Sequence, residues 1–220
     1  MKALVIGASG GIGAALVQAL AGRGGAVTPL SRRHDGLDLT DEASVARHLG
    51  GLEPGYDRII VATGALQIGE AGPEKSLRAL DPGAFLAQVT LNALGPALVL
   101  KHGLRLLPRD RASAFVALSA RVGSIGDNRL GGWYSYRAAK AALNQLIHGA
   151  AIEAARSHPM AVLACLHPGT VDTNLTQAHR GTHPAVPPAE AAANLLAVID
   201  RLTPAQTGGF LDWKGEEIPW

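Results

Sequence analysis

Four apolar residues, Ala3 to Ile6, run directly into Gly7-Ala-Ser-Gly-Gly-Ile-Gly13, and an apolar helical stretch follows over residues 14–20. A run that is apolar at every position reads as a strand buried on both faces, which belongs in a parallel sheet covered by helices. Glycines placed after such a strand and before a helix let backbone N–H groups close on an anion at the positive helix end. The turn therefore predicts a pyrophosphate cradle, with Gly7, Ser9, Gly11, Ile12 and Gly13 as its candidate contacts. Its Gly-x-x-x-Gly-x-Gly spacing differs from the Gly-x-Gly-x-x-Gly of other dinucleotide folds, and a bare tight turn would also use glycine.

Downstream the same alternation continues. Further strands are expected at residues 26–30, 36–39, 58–62, 114–118, 160–166 and 209–213, with helices at 41–49, 82–107, 134–156 and 188–202. The pattern predicts an α/β fold, a doubly wound parallel sheet of about seven strands with helices on both faces. A length of 220 residues fits one domain, residues 1–220. Aromatics are only 4% and glycines number 27, so the core is expected to be aliphatic and closely packed against backbone. Proline and glycine recur before residue 188, and residues 174–188 read as a short substrate lid.

Chemistry-bearing residues collect at the expected carboxyl ends of the strands, where doubly wound sheets bind ligands. Strand two ends in Ser31-Arg32-Arg33, a hydroxyl and two guanidiniums where an acid would select a free ribose hydroxyl. Arginine suits a 2′-phosphate, so NADP(H) is expected over NAD(H). Asp38 and Leu39 are candidates for the adenine side, and the small-residue turn at Ala62 and Gly64 lets a cofactor lie against backbone. Asn92 and Pro96 interrupt the helix over 82–107, which predicts a kink exposing backbone to a water. Ser119 ends the fifth expected strand. Tyr136 and Lys140 stand one turn apart on the alanine-rich helix that follows, where an ammonium favours phenolate and prepares the tyrosine for proton transfer. Pro168, Gly169, Thr170, Val171 and Thr173 form the turn after the sixth.

The remaining composition removes other classes. Net charge is +2 with acids and bases interspersed, which leaves no basic stripe for nucleic acid. Cys165 is the sole cysteine, so neither an intrachain disulfide nor a cysteine zinc cluster is expected, and the scattered histidines predict no metal site. Glycines break the opening apolar run, which reads as strand, turn and helix rather than a signal peptide. No uninterrupted run approaches a membrane span, and a cytoplasmic protein is expected.

With these residues in place, the chain resembles the short-chain dehydrogenase/reductase family over nearly its whole length. The glycine turn, Asn92, Tyr136-x-x-x-Lys140 and Pro168-Gly169 match in order and context. The stretch from Ser119 to Tyr136 and the ending Gly-Glu-Glu-Ile-Pro-Trp look like the C-factor and sniffer-type carbonyl reductase branch. The resemblance implies Tyr136 as general acid in reduction and Lys140 as ribose ligand and depressor of the tyrosine pKa. It further implies Asn92 as holder of a relay water, Ser119 as carbonyl ligand, and Thr170 and Thr173 as contacts to the nicotinamide amide and diphosphate. A homodimer or homotetramer through the helices at 82–107 and 134–156 is implied as well.

Three departures stand out. Ile6 replaces the usual threonine, and Ala62-Thr-Gly-Ala65 replaces Asn-Asn-Ala-Gly. The family's serine lies three residues before a glycine, where this chain has Ala120; either Ser119 reaches in from one place upstream, or Ser124 substitutes. Ser119 is preferred because it ends the strand. Two functions stay open: a reductase or dehydrogenase of small carbonyls and alcohols, or a dinucleotide-binding sensor with little turnover. An extended-type epimerase would need a larger substrate domain than the roughly 50 residues after the sixth strand supply.

Overall fold

The computed structural model describes residues 1–175 and 184–220. Six parallel strands are joined by helices: β1 (Lys2–Ile6), α1 (Gly11–Gly22), β2 (Ala26–Leu30), a single turn α2 (Arg32–Asp35), α3 (Glu42–Gly50), β3 (Arg58–Val61), α4 (Pro82–Val89), α5 (Gly95–Gly103), β4 (Ser113–Leu118), α6 (Tyr134–Ala154), β5 (Ala161–His167), α7 (Pro188–Ile199) and β6 (Phe210–Asp212). The sheet order is β2-β1-β3-β4-β5-β6. Direction reverses between β1 and β3, which opens a crevice at their carboxyl ends.

Side chains alternate along each strand and feed two cores. Leu4, Ile6, Ile59, Phe115 and Leu163 meet Leu49, Val99, Leu143 and Ile147 of α3, α5 and α6. Val5, Ile60, Val116 and Leu166 meet Leu16, Leu20, Leu195 and Leu196 of α1 and α7. Helices on both faces explain why the strands carry so few polar residues.

The strand expected at 36–39 does not form, so the sheet has six strands rather than about seven. Ala26 donates to Met1 O and Leu30 accepts from Gly7, which turns the backbone of Val27 and Pro29 to the open edge. Proline offers no donor there, and a further strand would find half its ladder missing. Leu37 and Leu39 are buried nonetheless. A side-chain bond from Asp38 N–H to Ser44 Oγ, 3.1 Å, holds the segment instead. At the opposite edge the chain folds back over β6, with Ile218 N–H on Phe210 O and Asp212 N–H on Glu216 O.

The helix expected over 82–107 is broken at the predicted place. Thr90–Leu94 form a π turn between α4 and α5. Pro96 cannot donate to the carbonyl of Asn92, four residues back, and its ring pushes that carbonyl aside. By length and mean hydropathy (1.5) the combined run Pro82–Leu106 would suffice to cross a bilayer. Here it packs on α6, with Gln88 and Asn92 buried in its inward face.

Candidate active site

The glycine turn is built as its sequence predicts. Gly7 has φ +89°, and a Cβ there would lie 2.7 Å from Ala62 O; at Gly13 it would lie 2.1 Å from Gly7 O. Only glycine lets β1, the turn and α1 approach so closely. Gly10 caps α1 without a side-chain bond, and no acid occupies the first turn. The helix thus presents uncapped N–H groups and its positive end to an anion. Thr173 comes within 2.8 Å of where a Cβ on Gly11 would stand, so the turn after β5 borders the same cradle.

At the end of β2, Ser31 caps α2 by accepting from His34 N–H. Arg32 and Arg33 are exposed and make no ion pair among the described residues. The Asp38 carboxylate accepts from Thr40 N–H and Oγ, and those bonds, with a smaller contribution from Arg32, lower its pKa. Leu39 lies under Gly95. These residues and the glycine turn, Ile12 apart, stand outside the lining of the main cleft.

That cleft, of about 800 Å³, opens at the carboxyl ends of β3, β4 and β5. Ile12, Ala62, Gly64, Ser119, Tyr136, Lys140 and the stretch Pro168–Val171 with Thr173 all line it. Tyr136 is 8% exposed and Lys140 2%. The ammonium lies 5.7 Å from the phenol ring centre and donates to Leu118 O at 2.9 Å. Burial pushes the Tyr136 phenol above its ordinary pKa and the Lys140 ammonium down to about 8. In this geometry burial outweighs the cation, and the tyrosine is a protonated acid at neutral pH. Gly123 makes the placement possible, since a Cβ there would come within 2.8 Å of Lys140 Cβ.

Asn92 is fully buried and locked: Oδ1 accepts from Ala65 N–H (3.0 Å), and Nδ2 donates to Ala65 O (2.9 Å) and Gln88 Oε1 (2.6 Å). A Cβ on Gly64 would lie 3.0 Å from Asn92 Oδ1 and 3.5 Å from Lys140 Nζ, so the small-residue turn after β3 separates the two. Ser119 lines the cleft, but its hydroxyl donates to Asn144 Oδ1 at 2.7 Å. Ser124, the alternative, is spent on Pro219 O and the N–H of Asp127, and does not reach the lining.

Sequence reasoning passed over several residues at this site. Gln88 orients Asn92 from one helical turn earlier, a spacing legible once a kink is suspected. Glu74 accepts from Ser135 N–H and Oγ at the start of α6, from a loop without periodicity. His167 lines the cleft with a buried, unpartnered Nδ1, and burial, with Arg121 nearby, drops its pKa to about 4. Much of the expected lid falls on 176–183, outside the described residues.

The model of the short chain dehydrogenase family matches residues 35–183. The chain belongs to the short-chain dehydrogenases. Within that family it is 35% identical over 188 residues to 1-hydroxy-2-glutathionyl-2-methyl-3-butene dehydrogenase of Rhodococcus sp. (strain AD45), covering 84% of this chain and 79% of the relative. It is 32% identical over 165 residues to C-signal of Myxococcus xanthus, covering 73% and 96%. Among solved short-chain dehydrogenase folds, the carbonyl reductase Sniffer of D. melanogaster superposes with a TM-score of 0.83 at 19% identity, over 100% of this chain and 99% of that one. The sequence relatives, C-signal among them, mark the chain as an oxidoreductase of a family that uses a nicotinamide cofactor, and the Sniffer superposition shows the shared fold.

The residues present fit such a cofactor. The cradle at Gly7 and Gly13, which a Cβ would fill, and the uncapped end of α1 suit a diphosphate.

Proposed function

We propose that this protein is an NADP(H)-dependent reductase or dehydrogenase acting on a small carbonyl or alcohol, with Tyr136 as general acid in reduction. One observation carries the reading: Tyr136 and Lys140 are buried one turn apart on α6 and face a cleft that ends beside the glycine turn. The glycine turn and Thr173 would hold the diphosphate, Arg32 with Ser31 the 2′-phosphate, and Lys140 the nicotinamide ribose. The bound nicotinamide supplies the hydride. Tyr136, kept protonated by burial, gives the carbonyl oxygen its proton. Lys140 carries the positive charge that limits the cost of the resulting phenolate and passes a replacement proton inward from the Asn92 side. Ser119 assists at the carbonyl by turning its hydroxyl from Asn144. The named activity of the Rhodococcus relative, a dehydrogenase of a hydroxylated compound, supports the reaction class. The exposure of Arg32, which makes no ion pair among the described residues, supports the phosphate preference, and the single buried Cys165 suits a reducing cytoplasm.

A second reading has one observation in its favour. Ala120 offers no side-chain donor, and the Ser119 hydroxyl is already engaged, which fits a dinucleotide-binding sensor with little turnover. NADPH and NADH oxidation against aldehydes, ketones, diketones and quinones separates the two. Under the reductase reading, Tyr136→Phe lowers turnover by about 10²–10⁴-fold while NADPH binding, followed by fluorescence, persists. Arg32→Ala weakens the preference for NADPH by about tenfold. Tight nucleotide binding with no turnover of any carbonyl sinks the enzyme reading.

A further inference from the structure

The substrate end of the cleft carries more positive charge than its chemistry accounts for. Among the described residues, Arg121, Arg129, Arg137 and Lys140 line it against a single acid, Asp127. Lys140 belongs to the proton machinery. Arg121 is paired with Asp127 at 3.0 Å and with Asp212 at 3.5 Å, which also neutralises the one acid. Arg137 donates to the carbonyls of Gly132 (3.0 Å) and Val122 (3.3 Å), tying the wall of the cleft to α6. Arg129 is left over. Its only bond among the described residues is a long one, 3.4 Å, to the neighbouring Asn128 O, and no carboxylate lies within 4.0 Å. The phosphates of a dinucleotide do not claim it, because the glycine turn and Arg32 stand apart from this end.

The surroundings of Arg129 are apolar. Leu130 beside it is 92% exposed, and Leu66, Val122, Trp133 and Leu175 line the same space. The loop bearing Arg129 is braced rather than loose. Gly126 N–H donates to Trp220 O at 2.7 Å, and Gly131 N–H donates to Asn128 Oδ1 at 3.0 Å. An exposed guanidinium on a braced loop at the mouth of an apolar cleft matches a ligand that is apolar at its reacting end and anionic at the other. A planar carboxylate is the group its fork of donors binds best, by charge-assisted bonds.

We propose that the cleft contains a carboxylate subsite at Arg129, and that the substrate is a carbonyl or alcohol compound bearing a carboxylate. The assignment rests on the reading of Tyr136 and Lys140 as the reacting end, and names the substrate class of that site.

The test uses the full chain loaded with NADPH, titrated calorimetrically with cyclohexanecarboxylate, 4-oxocyclohexanecarboxylate and benzoate, each beside its methyl ester. Acid-over-ester discrimination of about tenfold is expected, and it collapses towards unity in Arg129→Gln. Turnover of 4-oxocyclohexanecarboxylate and its ester is followed in parallel, where the same ratio appears in KM rather than kcat. Equal binding of acid and ester, including no measurable binding of either, overturns the subsite. So does discrimination that survives in Arg129→Gln with its circular dichroism unchanged. Arg129-dependent binding of the acids without turnover of any ketone leaves the subsite standing and removes the reductase reading, so the two claims fail separately.

Discussion

His167 shows how one side chain ties this site to the stability of the fold. Its imidazole is half-buried, with Nδ1 shut off from solvent, at the end of β5 beside Arg121, and its pKa falls to about 4. In the unfolded chain histidine titrates near 6.5. Between those values the unfolded state binds a proton that the folded state refuses, so stability is lost as pH falls from about 6.5 towards about 4. Above that window His167 is neutral in both states and contributes no pH dependence. We expect His167→Asn to flatten the decline in melting temperature over this interval, measured by scanning calorimetry with NADP absent. An unchanged slope would place the acid sensitivity elsewhere. Burial likewise keeps the Tyr136 phenol protonated at neutral pH, so its acidity is set by depth rather than by its neighbour Lys140.

At the scale of elements, the site depends on places where chain segments touch without side chains between them. The short turn Arg121–Gly123 lies directly on α6, and a Cβ on Gly123 would meet both the side chain and backbone of Lys140. Gly123→Ala should therefore cost about 1–3 kcal/mol, read from denaturant unfolding, and should lower kcat by displacing Lys140. A variant of wild-type stability and activity would show that the contact yields freely. The sequence made much of this legible. Buried strands, the glycine turn and the i, i+4 pair on α6 are local signals, each set within a few residues. Asn92 with Pro96 announced the break between α4 and α5 because propensity and backbone chemistry conflict there. The missing strand at 36–39 was hidden because Leu37 and Leu39 are apolar for burial, while the cause lies in Pro29 on the preceding strand. The engagement of Ser119 by Asn144 and the seating of Glu74 on Ser135 join residues distant in sequence, and no period encodes them.

For the molecule as a whole, part of the exposed apolar surface outside the cleft lies on helices. Leu86 of α4 is 63% exposed, and on α6 Ile152 is 61% and Leu146 42% exposed. We propose that copies associate through these two helices, as the family resemblance implies, and Leu86→Glu combined with Ile152→Glu should then convert a dimer or tetramer to a monomer in size-exclusion chromatography with light scattering. A wild-type monomer at micromolar concentration would count against it. The sheet itself is closed to such pairing. Pro29 withholds a donor from the free side of β2, and the chain's own residues 216–218 occupy the free side of β6. A second copy arriving edge-on meets an interrupted ladder at one margin and an occupied one at the other. Edge-on growth of the six strands into a neighbour's sheet is therefore disfavoured at the β2 margin and blocked by the chain itself at the β6 margin.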